Sequence, residues 1–363
     1  MSKLLSRDRM VGMLSPIMII LASLLVVTVL LLAVGVSPLA TYSSMVDGAF
    51  GSAMGFINTI SKAVPICLAS LGVAVARQAG IFNIGINGQM TVGAITTVVT
   101  GIYLKGLPAV VHVPLCLLAG VLGGVLYALL PTVVYLRKKI NLIVIFLLMN
   151  TMATKIVTWL IFAYLRDPAS QNNATLRIQS SAMLPNLITV PGKMNIGVLI
   201  ALAMAVVFYI YFYKTTAGYE LRACGLNRQA AQYSGIHTNY YLGSSLLIGG
   251  ALAGLAGGIE VLGTYYRLYD GFSPAYGFDG IPIALLSNGN PIGIMVGSIL
   301  FGALRVGSAN MQIKVGVSSE LVTVIQGVLI CFISLEYIFH FLSGKCMAGK
   351  LFKKHSRKEN GHG

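Results

Sequence analysis

Negative charge is scarce in this chain: 10 of its 363 residues are Asp or Glu, against 25 Lys and Arg. Charged residues total only 10%, where soluble domains carry about 25%, while 56% of the chain is apolar, so a soluble globular class is excluded. Paired cysteines are missing too. Cys67, Cys116, Cys224, Cys331 and Cys346 show no Cys-x-x-Cys spacing, and three of them lie in apolar runs, where a thiol behaves as a small hydrophobe. His112, His237, His340, His355 and His362 lack the His-Glu-x-x-His spacing of a helical zinc site. No disulfide framework, metal site or cofactor is expected.

An engine for chemistry is also lacking. Gly192-Lys193, Gly344-Lys345 and Gly349-Lys350 are followed by Met194, Cys346 and Leu351, so none completes a phosphate-binding Gly-Lys-Ser/Thr loop. Glu260 and Glu336 fall near the ends of apolar runs and no Asp lies centrally in one, which argues against proton or sodium coupling within the chain. Neither paired carboxylates nor a nucleophile beside a base is present, which argues against a membrane enzyme.

What the chain has is apolar length. Runs at about 10–36, 54–76, 81–104, 114–136, 140–165, 194–213, 241–262, 292–306 and 321–342, with a short piece at 280–287, predict an all-α membrane protein of about ten segments. The first run is too long for a secretory signal and reads as an uncleaved helix. Lys62 and Pro65 interrupt the second run and predict a kinked or partly re-entrant helix, and residues 37–51 read as a short outer segment. In this topology sixteen basic residues fall inside and six outside, which puts both termini in the cytoplasm and assigns the basic excess to the membrane, not to nucleic acid. Residues 1–352 form one transmembrane domain and 353–363 a basic cytoplasmic tail.

Two stretches do not read as membrane filler. Asn83, Asn87 and Gln89 place amides in an apolar run, with Asn83 and Asn87 one helical turn apart and Gly85 and Gly88 removing bulk beside them. Such amides either line a pathway or gate, or bond helices together as interhelical glue. Asn288-Gly289-Asn290-Pro291 follows the short piece 280–287 and predicts a discontinuous helix, a second wall for the same pathway.

The inner loop 214–240 is the other stretch. Ala223, Asn227, Ala230, Ala231 and Ser234 fall on one face of a helix read through this loop, with Gly235 as its stop. A face so small can approach another protein's backbone closely, while an ordinary solvated connector is the bland reading.

Three motifs carry a resemblance that covers essentially the whole chain. They are Phe82-Asn83-Ile84-Gly85-Ile86-Asn87-Gly88-Gln89, then Leu221-Arg222-Ala223-Cys224-Gly225-Leu226-Asn227 with Ala230-Ala231 and Gly235-Ile236, then Gly277-Phe278-Asp279-Gly280-Ile281 before Asn290-Pro291. The chain resembles the integral-membrane permeases of binding-protein-dependent ABC importers for nucleosides and simple sugars, most of all the longer permease of bacterial nucleoside uptake systems. The resemblance implies a type II importer fold with two pseudo-symmetric halves in the bacterial plasma membrane. It implies as partners a cytoplasmic ABC ATPase, a second permease and an extracytoplasmic substrate-binding lipoprotein. It also implies that the inner loop couples to the ATPase through Glu220, Arg222, Ala223, Gly225, Asn227, Ala230, Ala231 and Gly235. Glu220 is followed by Leu221 and Arg222, not by two alanines, and Ile236 lies eleven positions after Gly225, not ten, a departure that fits the sugar and nucleoside branch. The cargo expected is a nucleoside, with a simple sugar such as ribose or galactose as the alternative and a passive channel or ion-coupled carrier as the different class.

Overall fold

The computed structural model describes residues 25–168, 170, 173–272, 275–318, 321, 323–325, 327, 328 and 331. The expected run 321–342 lies largely outside these residues, as do residues 10–24 of the first run and the tail 353–363. The chain divides into two compact units, Ser44–Asn310 and a second made of Met1–Ser43 with Met311–Gly363.

In the second unit the described chain begins with α1, Leu25–Ala33, followed by α2, Pro38–Phe50, which runs on into the other unit. Residues 37–51 are therefore mostly helical. Pro38 supports this as the first helical residue, where its fixed φ suits the helix and its missing N–H is no loss. Within this unit the Thr28 and Tyr42 hydroxyls lie 3.0 Å apart.

The larger unit is a helical bundle. Helix α3, Ala53–Gln78, starts at Ser52, whose Oγ accepts from the Gly55 N–H at 3.0 Å, and it carries Lys62 and Pro65 without a break. Then come α4, Ile86–Tyr103; α5, Ala109–Lys138; and α6, Leu142–Leu160, which closes in a π-helical turn at Ile161–Leu165. A short antiparallel pair, β1 Asn186–Ile188 and β2 Met194–Asn195, precedes α7, Gly197–Lys214. Two small helices, α8 Thr216–Leu226 and α9 Arg228–Tyr233, lead into α10, Thr238–Glu260, which also ends in a π turn, Val261–Tyr265. The unit closes with α11, Tyr276–Leu286, and most of α12, Pro291–Val315.

Helix α10 is the buried centre, packed on α3, α4 and α5. Its glycines explain why. Gly250 and Gly254 meet Gly124 and Gly120 of α5 so closely that a Cβ would strike backbone carbonyls, and Gly257 meets the Met90 carbonyl of α4 in the same way. In a membrane, where apolar contact alone gives little drive for association, such backbone approach is what holds helices together.

Among the described residues six helices are long and apolar enough to cross a membrane: α3, α5, α6 with its π turn, α7, α10 with its π turn, and α12. Helix α11 has 11 residues. At about 1.5 Å per residue it covers roughly half of a hydrocarbon core of about 30 Å.

Candidate functional site

The amide stretch does not form one helical face. Helix α4 begins only at Ile86, so Asn83 precedes it in an irregular turn and Asn83 and Asn87 are not neighbours on a helix. Asn83 Oδ1 accepts from the Gly85 N–H at 3.1 Å, a local side-chain turn that competes with helix here. The same amide pairs with Gln89: Asn83 Nδ2 donates to Gln89 Oε1 at 3.0 Å, and Asn83 Oδ1 also accepts from Gln89 Nε2 at 3.3 Å. Both side chains are fully buried. Gly88 donates its N–H to Asn150 Oδ1 at 2.8 Å, and Asn150 Nδ2 donates to the Ile84 carbonyl at 3.0 Å, which ties α6 to the head of α4. Gly85 lies against the Phe146 ring, and Asn87 is buried where α11 crosses, with Gly277 directly over its backbone. These residues thus bond and pack the head of α4.

Four residues away the end of α3 makes a corner that touches two other elements. Gly80, with φ +81°, lies against Gly225 of α8, and a Cβ on Gly225 would strike the Gln78 carbonyl. Arg77 Nη2 donates to Asn288 Oδ1 at 2.7 Å, and Gly289 sits beside the Gln78 amide. Asn288 and Gly289 both have positive φ, and Asn290 Oδ1 accepts from the Ile292 N–H at 3.0 Å to start α12. The Asn-Gly-Asn-Pro break and the α8 loop are therefore joined through Arg77–Gly80.

The loop 214–240 is two helices, not one. Asn227 breaks it by turning extended, and its Oδ1 accepts from the Ala230 N–H at 3.0 Å as the cap of α9. The single small face expected there does not exist as a helical stripe. The break instead folds the same residues around a groove of about 500 Å³, lined by Glu220, Ala223, Asn227, Ala230, Ala231 and Ser234 among others. Gly225 faces the corner and Arg222 stacks on Tyr213 at 5.2 Å, while Gly235 takes φ +84° after α9. Leu226 at 89% and Tyr233 at 93% exposure flank the groove as bare apolar side chains, which small-residue spacing had no means of marking.

At the opposite end of α3 lies a charged cavity that the sequence reading missed. Lys62 Nζ meets Glu260 Oε1 at 2.8 Å, and the same oxygen accepts from the Tyr276 hydroxyl at 3.1 Å. Arg305 holds Asp279 Oδ2 through Nη2 at 2.6 Å and Nε at 2.7 Å, while its guanidinium lies 4.3 Å from the Tyr276 ring centre. Lys62 lies 5.1 Å from the Tyr265 ring centre. Around these groups is a space of about 530 Å³, lined also by Asn58, Ser61, Lys193 and Thr264. Glu260 looked terminal because the apolar run stops soon after it; the π turn carries the helix on to Tyr265 and leaves Glu260 only 1% exposed. The signal available was Lys62 itself, since a lysine deep in an apolar run calls for a polar partner or water, and Glu260 is one of the chain's few carboxylates.

Lys193 at the cavity's edge ends the segment 166–193, which is laced to 266–272. Thr175 donates its N–H to the Leu268 carbonyl at 2.8 Å, Asp270 donates its N–H to the Asn173 carbonyl at 2.7 Å, and the Thr158 hydroxyl donates to Asp270 Oδ1 at 2.6 Å. Among the described residues no cluster of His, Cys, Asp and Glu has the arrangement of a metal site.

Comparison with known proteins follows the same lines. A family model described as "Branched-chain amino acid transport system / permease component" matches residues 55–334. The chain is 35% identical over 342 residues to the guanosine ABC transporter permease protein NupP of Bacillus subtilis, covering 93% of this chain and 97% of that one. It is 32% identical over 336 residues to the glucose ABC transporter permease protein TsgB13 of Haloferax volcanii, covering 90% and 88%. With the nucleoside ABC transporter permease protein NupB of Lactococcus lactis the identity is 29% over 352 residues, covering 94% and 96%.

Proposed function

Because the chain belongs to the family of branched-chain amino acid transport system permease components, we propose that it is the translocation subunit of an ATP-driven importer of nucleosides. The observation that carries this reading is the end-to-end match to a guanosine permease at 35% identity. In this reading the chain is a multi-pass plasma-membrane protein of about ten segments in two related halves, with both termini in the cytoplasm. It pairs with a second permease, receives cargo from an extracytoplasmic binding lipoprotein, and leaves ATP hydrolysis to cytoplasmic ABC ATPase subunits.

The geometry supports a route for coupling. The groove of α8 and α9, with Leu226 and Tyr233 beside it, receives the ATPase. Movement of α8 is felt at Gly80 through Gly225, because two backbones in contact have no side chain to absorb it. The corner then acts on the Asn288–Asn290 break through Arg77 and on the head of α4 through the chain leading to Asn83. Asn83, Gly85, Asn87, Gly88 and Gln89 serve as a gate at this end, opening by rearranging amide pairs and not by holding cargo. At the other end the Lys62 cavity is where cargo enters. Each carboxylate there is matched by a cation, so the wall presents hydrogen-bonding groups without net negative charge, suited to a neutral hydroxylated ligand.

The similarity to a glucose permease favours a second reading, the same machinery carrying a simple sugar. Competition separates them. Uptake of radiolabelled guanosine by cells expressing the full transporter falls when unlabelled nucleosides are added and is untouched by glucose, ribose or galactose. Inhibition by a sugar alone assigns the cargo to the second reading.

A further inference from the structure

Of the three basic side chains carried within the described membrane-length helices away from their ends, Lys62 and Arg305 are each paired with a carboxylate. Lys155 is the third. In the span Leu142–Leu165 it lies about 20 Å from one end and about 15 Å from the other at about 1.5 Å per residue. Its side chain is exposed and has no hydrogen-bonding or ionic partner among the described residues. A lysine stem of about 6 Å does not reach the bilayer surface from that depth by snorkelling. An ammonium in such a position faces water or a polar partner, not lipid.

The residues beside it share its direction. Thr151 and Trp159, one turn before and one turn after, are exposed on the same face, and Trp159, the only tryptophan in the chain, is 57% exposed. The opposite face, with Asn150, Ala153 and Val157, is buried, and Asn150 and Ala153 lie against Gly88 of α4. The helix is thus oriented with its one charge outward from the bundle. Below the π turn Thr158 reaches Asp270, so this face continues into the laced segments at the cavity end.

We propose that the Thr151, Lys155 and Trp159 face of α6 lines the water-filled route of the assembled transporter. This rests on the permease reading, in which the chain pairs with a second permease, and adds that the route runs along the side of α6 turned away from this chain's own bundle. Lys155 donates to hydroxyl and carbonyl oxygens of passing cargo and repels cations, and the Trp159 indole offers a nucleobase a surface to stack on. The cargo class this face fits is an uncharged nucleoside.

The test uses Lys155→Cys in the complete complex, treated with a membrane-impermeant cationic thiol reagent while the parent chain is treated in parallel. Labelling above the parent that guanosine slows supports the proposal. Absence of labelling overturns it, because a site covered by lipid or by the second permease does not react from water. Should Lys155→Cys fail to assemble, Thr151→Cys on the same face carries the same test. Lys155→Met is expected to lower uptake about tenfold while Lys155→Arg keeps it, the loss expected for a charged hydrogen bond. Wild-type uptake by Lys155→Met overturns the cargo contact. ATP-driven guanosine uptake by the parent complex is measured alongside, so that failure of the permease reading is seen separately from failure at Lys155.

Discussion

Gly80 and Gly225 meet backbone to backbone, joining the end of α3 to the helix α8 that follows the long loop entry. Of the contacts described, this one links the α8–α9 groove proposed to receive the ATPase most directly with the part of the bundle that the amides organise. Gly225→Val forces a Cβ into the Gln78 carbonyl and separates the two elements. Uptake is expected to fall about tenfold or more while the complex still hydrolyses ATP, since the loss is in transmission and not in docking. Hydrolysis and uptake measured on the same vesicles check this, and an unchanged ratio removes the corner from the coupling route.

Arg77 and Asn288 act as a pair across the same corner. Arg77→Ala and Asn288→Ala are expected to impair uptake non-additively, with a coupling of about 0.5–3 kcal/mol as found for residues in direct contact. A double-mutant cycle on uptake rates reads this value. Additive effects mean that the bond does not contribute.

The Lys62–Glu260 pair is buried at its acid end, so removing one partner leaves a charge without its counterion. Lys62→Met, which leaves the buried Glu260 without its counterion, is expected to destabilise by about 3–5 kcal/mol, whereas adding Glu260→Gln recovers most of that loss. Thermal melting of the purified chain in detergent is the check. Equal melting temperatures for the single and double variants contradict the pairing as a stability element.

Cys224 on α8 is 4% exposed, and burial, helped by Glu220, holds its thiol above the ordinary range. A raised pKa means less thiolate at neutral pH, so alkylation is slower than for a free cysteine and accelerates only as pH rises past the ordinary thiol range. A maleimide rate against pH measures it. A rate like that of free cysteine at pH 7.5 means that α8 is not seated as described.

Much of the frame was legible from residue order. Apolar runs marked the long helices. Other features depend on partners remote in sequence. Glu260 read as a span end because nothing local shows that Lys62, 198 residues earlier, reaches it. Asn83 read as helical because the pattern hides its side chain's bond to the Gly85 N–H, which starts the helix later. Asn227 is the same case in α8 and α9: a capping side chain broke a period that residue type alone continued. Polar side chains that bond to backbone decided these boundaries, and hydropathy does not record them.

The most direct measurement is transport by purified components. Proteoliposomes containing this chain, its second permease and the ATPase subunits, supplied with the binding protein, are loaded with ATP and given radiolabelled guanosine outside. Accumulation that requires ATP and disappears with a hydrolysis-deficient ATPase is the expected result. Equal guanosine entry without ATP or without the ATPase contradicts it and makes the chain a passive route.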